Sequence, residues 1–274
     1  MADLVQTEEA LAKPARRAPG DFEFIRSKVD GPLARVMLHR PEHNLLNEQM
    51  LRELADCVGS IAETGAVKLI VLEAAGKVFS AGVDIGEYTA ERAFSMLDAF
   101  HSACIAMVEA PQPVLVVVDG AAIGGGAELV AYGDLVVATP RARFALPEIT
   151  IGMFPPLAST MFPHIVGPKR ALELVLTGEA ISAERARDLG LVNRLVPEEQ
   201  LQAAVMELAG KIATQSGAVL GMAKKAILNG MGMSLRDSLQ NSMHIFLNEL
   251  YRLEDSQEGL RALLEKRKPQ WKNR

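Results

Sequence analysis

Aromatic side chains are scarce in this chain, at 5% of 274 residues, so its core must be built mostly from Ala, Val, Leu, Ile and Met. Basic stripes are missing too. The formal charge is −5, and the short basic runs Arg16-Arg17 and Lys266-Arg267-Lys268 are too small for a nucleic-acid face. No run of about 18 apolar residues occurs, which excludes a membrane-spanning helix. The first twenty residues, MADLVQTEEALAKPARRAPG, lack the apolar stretch of a secretory signal and are broken by Pro14 and Pro19. They read as a loosely ordered tail over residues 1–20 of a cytoplasmic protein. Only two cysteines occur, Cys57 and Cys104, both inside apolar helical patterns; they read as buried small hydrophobes, not as a disulfide framework. The histidines (His39, His43, His101, His164 and His244) are scattered, and Arg40-Pro41 prevents a helix where two of them are four apart, so no metal site is expected. Ser80 and Ser159 have no evident histidine partner, which gives a serine nucleophile little support.

What is present is enough apolar sequence, 49%, for one large core. Strands are expected over Phe22–Lys28 and Ala34–His39, around the turn signal Asp30-Gly31-Pro32, and a helix capped by Asn47 carries Leu51, Leu54, Val58 and Ile61 on one face. Val67–Ala74 and Val114–Val118 are apolar runs of buried strands, with a helix over Ala93–Glu109 between them. Another helix is expected from about Ala127 to Tyr132, then strands at Leu135–Ala138 and Leu191–Val196. Gly178 and Gly190 look like helix C-terminal glycines. Strands alternating with helices suggest repeated ββα-like units around a largely buried sheet. From residue 216 onward helices carry an apolar stripe (Leu235, Leu239, Met243, Phe246, Leu250) that could cover the chain's own core or a neighbour.

Three segments carry chemistry. Glu128 follows Gly124-Gly125-Gly126 directly after a buried strand. An acid in a first helical turn is commonly there for the macrodipole, but that does not account for three glycines. Glycines let another molecule approach the backbone, and a helix N-terminus offers free amides. A dinucleotide loop is disfavoured: the glycines lack the G-x-G-x-x-G spacing, and an acid stands where phosphate would sit. Glu148, in ARFALPEITIG, alone reads equally well as a loop carboxylate capping the next helix. It lies far enough along to return to the same end of a sheet, and paired carboxylates can divide acid and base roles. Phe79-Ser80-Ala81-Gly82-Val83-Asp84 is the third, a small-residue loop after a buried strand.

Taken in order, VFSAGVDI, DGAAIGGGAELVAYGDL, ARFALPEITIG, LVLTGEAISAERARDLGLVN and LLEKRKPQW resemble the enoyl-CoA hydratase/isomerase, or crotonase, superfamily, from about Asp21 to Trp271. The resemblance implies an α/β spiral of ββα units over residues 21–215 and a helical oligomerisation region over residues 216–274, assembled as a homotrimer or dimer of trimers. It implies an acyl-CoA substrate and no metal or redox cofactor. The backbone amides that polarise the thioester carbonyl match Val83 and Gly125, and the catalytic glutamates match Glu128 and Glu148. Ala81, Asp84, Ile85, Gly124, Pro156 and Leu157 are expected to meet the substrate, and Lys266 the nucleotide end of coenzyme A. Keeping both glutamates favours a hydratase; the alternatives are a double-bond isomerase and a non-catalytic acyl-CoA-binding oligomer. Where fatty-acid hydratases usually continue with a glycine-rich PGAGGT-like stretch, this chain has Phe154-Pro155-Pro156-Leu157-Ala158-Ser159-Thr160, similar to cyclic-dienoyl-CoA hydratases. Arg40-Pro41-Glu42-His43-Asn44-Leu45-Leu46 also departs from the usual RPxxxNAL pattern.

Overall fold

The structure is a computed structural model that describes residues 22–87 and 89–274; the tail expected over residues 1–20 lies outside them. The chain winds through successive strand–strand–helix units. The first is a hairpin, β1 (Ile25–Asp30) and β2 (Leu33–Leu38), followed by α1 (Glu48–Ala62). Each of the next three gives one strand to a large sheet and one three-residue strand to a small sheet before its helix. They are β3 (Leu69–Ala74), β4 (Val78–Ser80) and α2 (Ala93–Glu109), then β5 (Val114–Val118), β6 (Ala121–Ile123) and α3 (Gly125–Ala131), then β7 (Leu135–Ala138), β8 (Arg143–Ala145) and α4 (Pro156–Val166). After α5 (Pro168–Thr177), β9 (Ile181–Ser182), α6 (Ala183–Leu189) and β10 (Arg194–Leu195) come four helices: α7 (Leu201–Ala213), α8 (Gly217–Gly230), α9 (Leu235–Asn248) and α10 (Glu254–Leu264). No helix among the described residues is long and apolar enough to cross a membrane.

The large sheet runs β1-β2-β3-β5-β7-β10, parallel except for β1, and the small sheet runs β4-β6-β8-β9, parallel except for β9. The apolar runs of β3 and β5 are unbroken because both faces of the large sheet are covered. Ile70, Leu72, Val114 and Val116 point into the main core with α1 and α2. Leu69, Val71, Leu115, Val117 and Val137 point the other way, onto Leu201, Val205 and Ala209 of α7. Asn47 caps α1 as expected, its side chain accepting the Met50 N–H at 3.0 Å, and Gly178 and Gly190 end α5 and α6 in the left-handed region.

The small sheet positions the site. β4, β6 and β8 are parallel neighbours, so their carboxyl ends, Ser80, Ile123 and Ala145, stand side by side. The three segments singled out above are the loops that leave those ends. Ligands of parallel sheets sit at strand carboxyl ends because loops and helix N-termini converge there.

Candidate active site

The loop after β4 is held so that one amide is left over. Leu46 N–H donates to Gly82 O at 2.8 Å and Asp84 N–H donates to Leu46 O at 2.9 Å. Bonds on either side of Val83 turn its own N–H away from Leu46, as alternation in a parallel ladder requires. The Asp84 carboxylate pairs with Arg40 at 2.7 Å, and the Arg40 guanidinium also donates to Leu45 O, which ties the loop to the segment before α1. Among the described residues no acceptor meets the Val83 N–H.

The second bare amide comes from α3. Gly124 precedes the helix at φ +53, and its N–H is used by Ala145 O at 2.8 Å. The first helical residue, Gly125, has no intrahelical acceptor by construction, and none from elsewhere among the described residues. The glycines are needed because the two loops touch. A Cβ on Gly124 would come within 2.6 Å of Glu148 Oε1, one on Gly125 within 2.9 Å of Val83 Cγ2, and one on Gly126 within 2.6 Å of Ser80 O. A Cβ on Gly82 would lie 3.8 Å from Gly125 N.

Glu128, in the first turn of α3, is 2% exposed. Its Oε1 accepts the Ala158 N–H at 2.8 Å, and the backbone amide of Leu157 is close enough to favour the charged form. Burial pushes its carboxyl up to about 7; those two amides pull against that, and the charge of Glu148 adds to it. Glu148 sits in the turn Pro147–Ile151 after β8. Burial raises it also, against a hydrogen bond from its own backbone, and its Oε2 is buried with no partner among the described residues. A buried and a half-buried carboxyl that feel each other's charge resist being ionised together.

Both glutamates open onto one cavity of about 180 Å3, whose walls include Ala81, Gly82, Val83, Ile123 and Gly124 beside them. The rest of the wall is apolar apart from Thr150: Ile85, Met96, Leu97, Phe100, Pro147, Ile151, Met153, Phe154 and Pro156. Of the expected substrate contacts, Ala81, Ile85, Gly124 and Pro156 line it; Asp84, Leu157 and Lys266 do not. Asp84 is engaged by Arg40 instead. The Leu157 side chain is buried in the main core, and only its peptide groups face the site, because it follows Pro156 at the start of α4 and points along the opposite face. Lys266 lies beyond α10 at φ +53. The sequence reading missed Met96, Leu97 and Phe100, which helical spacing on α2 makes neighbours. It also missed Tyr132, which caps the C-terminal end of α3 four residues after Glu128 and whose hydroxyl donates to Leu157 O at 3.2 Å.

Comparison with known proteins finds relatives over nearly the whole chain. Residues 29–274 match the family model Enoyl-CoA hydratase/isomerase. The chain is 33% identical over 245 residues to cyclohexa-1,5-dienecarbonyl-CoA hydratase of Thauera aromatica, covering 89% of this chain and 95% of that protein. It is 31% identical to the mitochondrial enoyl-CoA hydratase domain-containing protein 3 of Danio rerio, over 99% of this chain and 96% of that one. The crystal structure of an enoyl-CoA hydratase from Bacillus anthracis superposes with a TM-score of 0.86 at 30% identity, covering 92% of this chain and all of that one. Two mixed sheets wound from ββα units, with C-terminal helices, are the fold these proteins share, and the chain belongs to the enoyl-CoA hydratase/isomerase family of the crotonase superfamily.

Proposed function

We propose that this protein is an enoyl-CoA hydratase in which Glu128 and Glu148 divide the proton transfers. The observation that carries the reading is two carboxyls, one buried and one half-buried, facing one largely apolar cavity beside two unused amides. Burial raises both carboxyls; the Ala158 amide draws Glu128 back toward the anion, whereas the bare Oε2 of Glu148 has no such support and keeps the proton there. Glu128 takes a proton from water as its oxygen bonds the distal alkene carbon. The alkene electrons move toward the thioester oxygen, where the Val83 and Gly125 N–H groups hold the developing charge. Glu148 then delivers its proton to the carbon next to the carbonyl, and exchange with solvent restores both carboxyls. Neither a metal nor a redox cofactor is needed for these steps. Paired amide donors of this kind typically contribute about 10²–10³ in rate each.

Glu128→Gln and Glu148→Gln should each cut hydration by about 10²–10⁴ while leaving acyl-CoA binding largely intact, since each keeps shape and removes proton transfer. A variant hydrating at near wild-type rate removes that residue from the mechanism. The acyl group is proposed to be a flat ring: the cavity wall is largely apolar, Pro156 stiffens one side of it, and the Thauera aromatica relative is named for such a substrate. A cyclic dienoyl-CoA should then have a higher kcat/KM than crotonyl-CoA on one preparation; the reverse order excludes the cyclic assignment. The C-terminal helices are proposed to cover one another in a homo-oligomer. Leu235, Leu239, Met243, Phe246 and Leu247 of α9 are all exposed in the single chain. Removing residues 216–274 should yield a poorly soluble product, and a monodisperse active monomer would contradict this.

A further inference from the structure

Glu128, in the first turn of α3, and Tyr132, the residue that caps its C-terminal end in helical conformation, lie four residues apart and so on the same side, and both reach the first turn of α4. They reach the same peptide unit from its two ends. Tyr132 Oη donates to Leu157 O at 3.2 Å, and the N–H of that same Leu157–Ala158 unit donates to Glu128 Oε1 at 2.8 Å. A donor at a peptide carbonyl draws electron density toward the oxygen and makes the N–H across the amide bond a stronger donor.

We propose that Tyr132 is a positioning residue for hydration: its hydroxyl fixes and polarises the Leu157–Ala158 peptide, which in turn holds the Glu128 carboxylate at the cavity. This rests on the reading of Glu128 as the group that takes the proton from water. Tyr132 is suited to the task because it remains a donor throughout the working range. Burial, with the neighbouring Cys104 and Glu128, pushes its hydroxyl up to about 12. The titratable groups facing the Glu128 carboxyl are Glu148 from the turn after β8, Cys104 from α2 and Tyr132 itself. The first turn of α4 faces it with amides. Among the described residues no cation pairs with it, and the Ala158 N–H makes the one hydrogen bond its side chain accepts.

Tyr132→Phe keeps the ring and removes the donor. The Glu128 anion then loses part of its support, so the pH at which this carboxyl ionises rises. We expect kcat to fall about threefold to tenfold, as for loss of one neutral hydrogen bond acting on a placed group, with KM for an enoyl-CoA nearly unchanged and the acid limb of the pH–rate profile moved to higher pH. The direct readout is infrared titration of the Glu128 carboxyl, isolated by difference from Glu128→Gln. Replacing Tyr132 with a fluorinated tyrosine, a stronger donor in the same shape, should move that titration the opposite way. A Glu128 titration unchanged in both proteins overturns the proposal. If instead Glu128→Gln hydrates normally, the reading of Glu128 fails, whatever Tyr132 does.

Discussion

Two clusters of charge among the described residues are finished differently. At the junction of α8 with the core, Lys224 Nζ lies 2.8 Å from Asp134 Oδ2 and donates to Met107 O and Gln112 O, while Asp134 also accepts the Val114 N–H at 2.7 Å. Opposite charges meet, and each charged group has its hydrogen-bond partners. Burial still pushes Lys224 down and Asp134 up, against the pull of each partner. At the carboxyl ends of β4, β6 and β8 two like charges meet instead, one oxygen has no partner, and two amides are unused. A cluster with its partners filled fixes geometry. One left open has interactions to give to a reacting molecule, and the fold carries the cost of keeping it so.

Breaking the filled cluster should have the larger effect on stability. Lys224→Met leaves Asp134 buried without its cation, so we expect a loss of about 3–5 kcal/mol in denaturant unfolding, with activity per folded molecule retained. Adding Asp134→Asn, which still accepts the Val114 N–H but carries no charge, should recover part of that loss. The open cluster should respond with the opposite sign. Glu128 favours its neutral form in the fold, with its carboxyl at about 7 against an ordinary 4.5. Its contribution to stability is therefore complete below about pH 4.5 and lost as pH rises through 7. Glu128→Gln, neutral throughout, should then be more stable than wild type by up to about 3 kcal/mol at pH 8 and by nothing at pH 4. Equal stability of the two at pH 8 would show that this carboxyl is not strained by its surroundings. Smallest is the packing between the loops. Gly124→Ala puts a side chain at φ +53 against Glu148 Oε1, which should cost about 1–2 kcal/mol and lower kcat, readable in thermal unfolding and steady-state rates.

The same contrast marks what was legible in the sequence. α2, β5 and β7 occupy the residues that periodicity and apolar runs assign to them, because each is long or apolar enough to declare itself. The sequence places β4 within a loop and marks no strand at β6. Three residues show no period, and these become strands only because neighbouring units of the spiral lie beside them. Phe22 and Phe24 drew the expected first strand toward the N-terminus, whereas the ladder runs Ile25–Asp30, in register with β2. The last strand shrinks from Leu191–Val196 to Arg194–Leu195, since Leu191 and Val192 serve the main core. Between Glu128 and Glu148 a single return strand was expected, but two are used, β7 in one sheet and β8 in the other. Glu128, Glu148 and the glycines were visible because their residue types are unusual next to buried strands. The roles of Arg40 and Tyr132 were not, since each depends on a partner that only the fold brings near.

The C-terminal helices carry a consequence for how the protein behaves as a population of molecules. Lys224 is the one residue of α8 that is buried, and Ile245 the one of α9, while Leu235 is 88% and Leu247 59% exposed. If further copies cover that surface, as proposed, every contact made there is governed by mass action. Thermal midpoint and specific activity would then depend on protein concentration, drifting down on dilution although no bond within a single chain had changed.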